Sequence, residues 1–261
     1  MSPSFTEITA AQLMRRVGTP EAPVILDVRL PADFEADPSL IPTARRVPHG
    51  ALPAAGLDAG RPVVCVCAHG HRVSHGAAAV LRAHGLRAEA LAGGMAAWRE
   101  ARLPAVPAAA VPGPLWVARH RPKVDRVACP WLLRRFVDPG ARFLFVPPEE
   151  VEGVAERFGA TPFDAGTGPF ADADGRSTFD AMVARFGLAH PALDRLAVLV
   201  RAADRGTPES VPEAAGLLAV SVGLSRMHRA DVAQVEAAMP LYDALYRWAR
   251  DGAGETHGPH P

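Results

Sequence analysis

The stretch that most limits how this chain can fold is ARLPAVPAAAVPGPL, residues 101–115, in which four prolines stand among small residues and no apolar periodicity survives. Each proline fixes φ and removes an amide donor, so the segment reads as an interdomain linker. The chain is therefore expected to fold as two domains, over residues 1–104 and 115–250, joined by a linker over 105–114. The polar, Gly- and Pro-rich end DGAGETHGPHP (251–261) is expected to fray. Of 261 residues, 49% are hydrophobic, enough to give each domain a core of its own.

Charge and cysteine content narrow the function classes. Lys plus Arg and Asp plus Glu both number 28, so no global field draws the molecule to nucleic acid or to an anionic surface, and neither is expected as a partner. No apolar run approaches the ~18 residues of a membrane span. The start MSPSFTEITAAQL lacks the basic and apolar parts of a secretory signal, and the chain is read as cytoplasmic. Cys65, Cys67 and Cys129 are odd in number and two lie only two positions apart, which excludes a disulfide framework and leaves thiol or metal chemistry. The cations are 27 arginines and a single lysine, Lys123, and asparagine is absent. Arginine richness is therefore a poor indicator of anion binding in this sequence.

Periodicity assigns the two domains to different classes. Before the linker, the apolar runs at 24–28 and 62–67 alternate with helical patterns at 9–17 and 74–84, the signature of a parallel sheet with helices packed on it. After it, LWVARHR and RFLFVP read as strands. Helical patterns then follow at about 177–187, 190–204, 209–225 and 228–250, giving a helix-rich α+β domain. Ser177 with Asp180 forms a capping-box pattern. Pro130 suits a first helical turn, which would put Cys129 at an N-cap.

The segment PVVCVCAHGHRVSHGAAAVLRAHG passes from an apolar strand through a loop at Gly70 into an Ala-rich helix. Cys67 then stands at the strand's end and beside the start of a helix. Free amides and the positive helix end stabilise a thiolate there, and Arg72 adds a fixed positive charge, so Cys67 is the candidate nucleophile. Cys65, inside the apolar run, reads as a small buried hydrophobe. A metal reading stays open, because Cys65, Cys67, His69 and His71 alternate and would face one way on a straight strand, although Gly70 and the helix start bend the chain there. Asp27 and Arg29 read as ties between loops, Trp98 as core, and His49, His75 and His84 as surface or satisfied polar residues.

Cys67-Ala68-His69-Gly70-His71-Arg72 resembles the C-x-x-G-x-R active-site loop of the rhodanese family. VILDVR (24–29), RRVPHGALP (45–53) and LAGGMAAWREARLP (91–104) resemble further segments of that domain in order and spacing, so the resemblance covers roughly residues 5–104. It implies a sulfurtransferase in which a persulfide on Cys67 carries sulfane sulfur from a small donor such as thiosulfate to a thiophilic acceptor. The loop amides of Ala68, His69, Gly70, His71 and Arg72 would cradle the substrate, and Arg72 would close the loop with its charge. The six-residue loop is the sulfurtransferase length, shorter than that of the related dual-specificity phosphatases. Val73 stands where many members have serine, and the two loop histidines depart from the usual pattern. No cofactor and no resident metal are expected.

A second constellation, RPKVDRVACPWLLRRF (121–136), gathers five cations around Asp125 and contains the chain's lysine. WVARHRPKVDRVACPWLLRRFVDPGARFLFVP (116–147) closely resembles the C-terminal domain of the bacterial chromate-resistance protein B. PFD (162–164), STFDAMVARFGL (177–188), AAGLLAVSVGLSR (214–226) and MPLYDALYRWAR (239–250) continue the likeness. It implies a role in chromate resistance or response. Where many members carry a His and a Cys before the third stretch, this chain has Asp172, Asp174 and Ser177. Arg121, Lys123 and Arg126 are candidates for binding an oxyanion such as chromate, with Asp125 and Trp131 beside them. Cys129 is either a secondary thiol acidified at a helix start or, the better-weighted reading, a buried structural thiol. Asp204 and His228 read as polar punctuation between helices unless they face the same cleft, and Tyr242, Tyr246 and Trp248 as packing.

Together these readings anticipate a thiosulfate-type sulfurtransferase coupled to an oxyanion-response domain. The alternatives are a non-enzymatic oxyanion or redox sensor and a Cys/His metal-binding protein.

Overall fold

The computed structural model describes residues 6–52, 56–165, 170, 176–207, 211–252 and 254–255. The chain divides into two compact units, one running to Val111 and including Arg135–Pro139, the other made of Pro112–Arg134 and the chain from Gly140 onward. Pro53, Asp172, Asp174 and residues 256–261, all named in the sequence reading, lie outside the described residues.

In chain order the first unit contains β1 (Glu7–Ile8), α1 (Ala10–Met14), β2 (Val24–Asp27), α2 (Pro31–Ala36), β3 (Ser39–Leu40), β4 (Arg45–Arg46), β5 (Val63–Val66), α3 (Arg72–Ala83), β6 (Ala88–Leu91), α4 (Gly94–Glu100) and β7 (Val106–Pro107). Its main sheet has the order β1-β6-β5-β2-β4 and is parallel throughout. The fold class read from the alternation of short apolar runs and helices is the one observed. Strand β5 is central and every residue in it is buried, as a continuous apolar run covered on both faces must be. Helix α3 lays Ser74, Ala77, Ala78 and Leu81 toward the core, the i, i+3, i+4, i+7 stripe of an amphipathic helix. Trp98 is fully buried and its indole N–H donates to the Pro104 carbonyl at 2.8 Å.

Asp27 and Arg29 tie this unit together, as expected. Both are only 2% exposed. The Arg29 backbone amide and Nε donate to Asp27, while the guanidinium also reaches the Asp37 and Ser39 carbonyls. A buried carboxylate and a buried guanidinium thus satisfy each other and anchor the chain entering β3.

The second unit contains β8 (Leu115–Arg119), α5 (Val124–Leu132), β9 (Arg142–Val146), α6 (Val151–Phe158), β10 (Thr161–Pro162), α7 (Thr178–Arg185), α8 (Pro191–Arg205), α9 (Glu213–Met227) and α10 (Asp231–Arg247). The strands form a parallel sheet of order β10-β8-β9, and helices make up most of the rest. Trp116 packs against Phe163, Phe170 and Phe186, and Trp131 against Tyr242 and Tyr246. The Ser177–Asp180 capping box is present at the start of α7. Among the described residues no helix is long and apolar enough to cross a membrane.

Two places differ from the expectation: Val106–Pro107, inside the stretch read as linker, form β7, which is paired antiparallel with β3 and buries Val106 in the first unit, and α5 starts earlier than Pro130 implied. Helix α5 begins at Val124 with Lys123 as its N-cap, and Pro130 lies inside it instead of opening it. An internal proline forgoes a backbone hydrogen bond at a cost of about 3 kcal/mol. Here Val124, Val127, Ala128, Trp131 and Leu132 are all buried along the same helix, and that burial outweighs the local preference. The helix loosens just beyond the proline, into a π-turn over Leu133–Val137.

Among the described residues, Arg29→Met would leave the buried Asp27 with Arg46, 3.7 Å away, as its charged partner. The first unit should lose about 3 kcal/mol, read as a lower denaturant midpoint of its unfolding transition.

Candidate active site

The loop between β5 and α3 is shaped by backbone packed on backbone. Met95 N donates to the Cys67 carbonyl and Ala96 N to the Ala68 carbonyl, each at 2.9 Å, so the start of α4 grips the loop. Gly70 and Gly94 both have positive φ, +69° and +58°. A Cβ on Gly94 would overlap the Cys67 carbonyl and the Gly70 amide, and one on Gly70 would overlap the Gly93 amide. Only glycine serves at such a contact, which gives Gly70 and Gly94 a physical reason: they let α4 close on the cysteine loop.

Within that frame the Cys67 Sγ lies 3.1 Å from the Ser74 Oγ. The Ser74 hydroxyl also points to the His71 carbonyl at 3.1 Å, and its one hydrogen can serve a single acceptor at a time. With Cys67 as a thiol, the S–H donates to Ser74; with Cys67 as a thiolate, the hydroxyl can turn to donate to sulfur. Burial pushes the Cys67 thiol up, but the Ser74 hydroxyl and the amides of Ser74, His71 and His69 outweigh it, and the net shift is downward. Cys65 lacks such donors, and burial pushes it up to about 12. Two thiols two residues apart are thus separated into one poised and one inert.

The sequence-named residues take distinct places. Ala68 is half-buried, Gly70 is buried, and His69, His71 and Arg72 are exposed, with Arg72 the first residue of α3. Ser74 was not among the named residues. Its signal was present, because the hydroxyl that many family members carry at the position of Val73 occurs one residue later, on the buried stripe of α3. The alternating metal reading is corrected: Cys65 is fully buried while His69 and His71 are exposed, since the chain leaves its extended course after Val66. Among the described residues no group of three or more His, Cys, Asp or Glu side chains could hold a metal ion.

In the second unit the cationic segment serves largely internal ends. Asp125 is 5% exposed, and its carboxylate accepts from the Thr178 and Phe179 amides at 2.9 and 3.0 Å, capping α7 from another element. Burial, with repulsion from Asp204 and Asp164, pushes Asp125 up to about 7 against the pull of those amides. Arg126 and Arg119 both pair with Asp164 at 2.9 Å. Arg121 and Lys123 are exposed, and the Arg121 guanidinium reaches the Ser225 carbonyl at 3.4 Å. Trp131 is core, its Nε1 donating to Asp243 at 2.8 Å. The acidified reading of Cys129 is corrected. The residue lies inside α5, fully buried, 3.9 Å from Asp125, and burial followed by the nearby carboxylates pushes its thiol well above the usual range. Asp204 sits on the same carboxylate cluster as Asp125, so it is more than punctuation between helices.

A parallel sheet that presents a lowered cysteine thiol at a central strand's end, in a loop gripped by the next helix, defines the rhodanese-like class, and residues 9–101 match the rhodanese-like domain. Residues 116–249 match "ChrB, C-terminal domain". As that match takes in more than half of the chain, the protein belongs to the ChrB C-terminal domain family. It is similar to Protein ChrB of Cupriavidus metallidurans, with 37% identity over 136 residues, which is 51% of this chain and 40% of that protein. The likeness therefore spans well under two thirds of the curated relative. Among solved structures, a rhodanese-related protein from Thermoplasma volcanium shares 27% identity at a TM-score of 0.33, covering 39% of this chain and 98% of that one. A rhodanese-like domain protein from Staphylococcus aureus shares 27% identity at a TM-score of 0.32, covering 36% and 90%.

Two outcomes follow from these environments. Ser74→Ala should slow alkylation of Cys67 near neutral pH by about tenfold and move the pH profile of the reaction upward, since a hydrogen bond to a charged group contributes about 1.5–3 kcal/mol. Cys65 should stay unmodified in the folded protein. For Asp125, the folded state keeps a proton that the unfolded chain releases above about pH 4. Stability of the second unit should therefore fall as pH rises from about 4 to about 7, by at most about 4 kcal/mol, and level off beyond. Urea midpoints across that range should show the slope in the natural protein and its loss in Asp125→Asn.

Proposed function

We propose that the first unit is a sulfurtransferase that carries sulfane sulfur as a persulfide on Cys67. The observation that carries this reading is the thiol itself, buried at the end of β5 yet held low by Ser74 and three amides. With thiosulfate as donor, the Cys67 thiolate attacks the outer sulfur, the S–S bond breaks, and sulfite leaves with the electron pair. A thiophilic acceptor then attacks the outer sulfur of the persulfide, and Cys67 departs as the thiolate it began as. The donors that lower the thiol's pKa also make it a good leaving group, so one set of interactions serves both half-reactions. The exposed Arg72 and the loop amides of Ala68 to Arg72 receive the charged donor.

The second unit ties this chemistry to chromate resistance or oxyanion response, working in the cytoplasm. Its exposed cations Arg121 and Lys123 are the ones open to an oxyanion, because Arg126 is taken by Asp164.

Thiosulfate:cyanide sulfurtransfer should be measurable in the full chain and abolished in Cys67→Ser, since a hydroxyl cannot hold a persulfide. Cys65→Ser and Cys129→Ser should keep most of the activity. Transfer surviving in Cys67→Ser overturns the assignment. A cysteine that reacts once without turnover favours a redox sensor instead.

A further inference from the structure

Helix α9 is apolar on both sides. Its inner stripe, Ala214, Leu217, Ser221 and Ser225, is buried against the second unit, as in any amphipathic helix. Its outer face has no polar character to match, because residues 214–225 contain no charged side chain. Val220, Val222 and Met227 are 45%, 39% and 75% exposed there. Gly216 and Gly223 are exposed on the same helix. A glycine inside a helix weakens it relative to alanine. Neither of these two has a positive φ, and a Cβ on either would meet nothing within 4 Å. Neither backbone conformation nor packing among the described residues therefore calls for glycine, whereas a second helix approaching closely from outside would.

Gly216, Val220, Gly223 and Met227 stand at i, i+4, i+7 and i+11, one seam along the helix with the spacing of a coiled coil. We propose that this seam pairs α9 with the α9 of a second copy of the chain, antiparallel, across a two-fold axis passing near residues 221 and 222. In that register Val220 faces the partner subunit's Gly223, and Met227 faces the partner subunit's Gly216. Every large side chain of the seam then meets a glycine, and the two backbones can approach closely. The charges fit the same operation. Glu213 opens the helix and Arg226 lies in its last turn, both exposed. An antiparallel pair lays the acidic end of each helix over the basic end of the other and opposes the two helix dipoles. A parallel pair would set glycine against glycine, valine against valine and like charge against like charge. A surface that complements itself in size and in charge is the mark of a two-fold contact between copies of one chain, and this singles out a second copy as the occupant. One pair of 15-residue helices falls short of the ~1,600 Å² of a standard interface, so the dimer is a weak one, with Kd on the order of 10 µM.

The test is sedimentation velocity on the full chain from about 1 µM to about 300 µM, a range that brackets that affinity. The natural chain should pass from monomer to dimer across it. Gly223→Val sets valine against valine, Val220→Gly leaves glycine against glycine, and each should weaken association by about tenfold or more. The double substitution exchanges knob and hole, keeps the number of glycines in the helix, and should restore association to within about threefold of the natural chain. Position 223 faces open space within the chain, so Gly223→Val leaves the monomer folded, which circular dichroism at the lowest concentration checks. A chain that stays monomeric throughout overturns the proposal, whether its own first unit or another protein then covers the face. A dimer that the single substitutions leave unchanged, or that the double substitution fails to restore, overturns it as well.

Discussion

The first unit depends on one close approach, that of the Gly93-Gly94 start of α4 to the backbone of the Cys67 loop. Because no Cβ intervenes at Gly94, two amides of α4 reach the Cys67 and Ala68 carbonyls and hold the loop through its backbone. The amides of His69, His71 and Ser74 can then act together on one sulfur. A looser loop would place the same residues in the same order and give no poised thiol. The same grip brings Met95, Ala96 and Arg99 alongside Ala68 and His69, so a small cleft beside the loop is a consequence of how the loop is held.

The second unit is organised by a buried carboxylate. Asp125 reaches from α5 to the first turn of α7 and satisfies two amides that a helix start leaves open. Burial first, and then the neighbouring Asp204 and Asp164, make the group hard to ionise. Arg119 and Arg126 compensate one of those neighbours. Much of what looks in the sequence like a cationic patch for an external anion is therefore half of an internal charge arrangement. Cys129 shares that setting: a thiol under a cluster of carboxylates and out of water is a packing element, unlike Cys67.

Helices, strands and caps were legible in the sequence wherever the cause is local. The alternation around β2 and β5, the Ser177–Asp180 box and the passage from strand to loop to helix at Cys67 all involve residues within a few positions of each other, so spacing alone reveals them. The start of α5 was misread for the complementary reason. Proline's preference for a first turn is a local rule, and it yielded to the burial of Trp131 and Leu132 against α10 and neighbouring elements, which no local pattern records.

By itself, then, the sequence determined the parallel sheet of the first part, the helix-rich character of the second and the place of Cys67 between a strand and a helix. Only the tertiary structure decided which groups tune that cysteine, which cysteines are inert, and which cations are already paired. Asp125 meets amides 53 and 54 positions away, and Arg119 meets a carboxylate 45 positions away. A chain records its residue types in order, but the electrostatic environment of a group depends on what surrounds it in three dimensions. Burial, and partners brought from distant segments, set that environment, and both come into being only when the chain has folded.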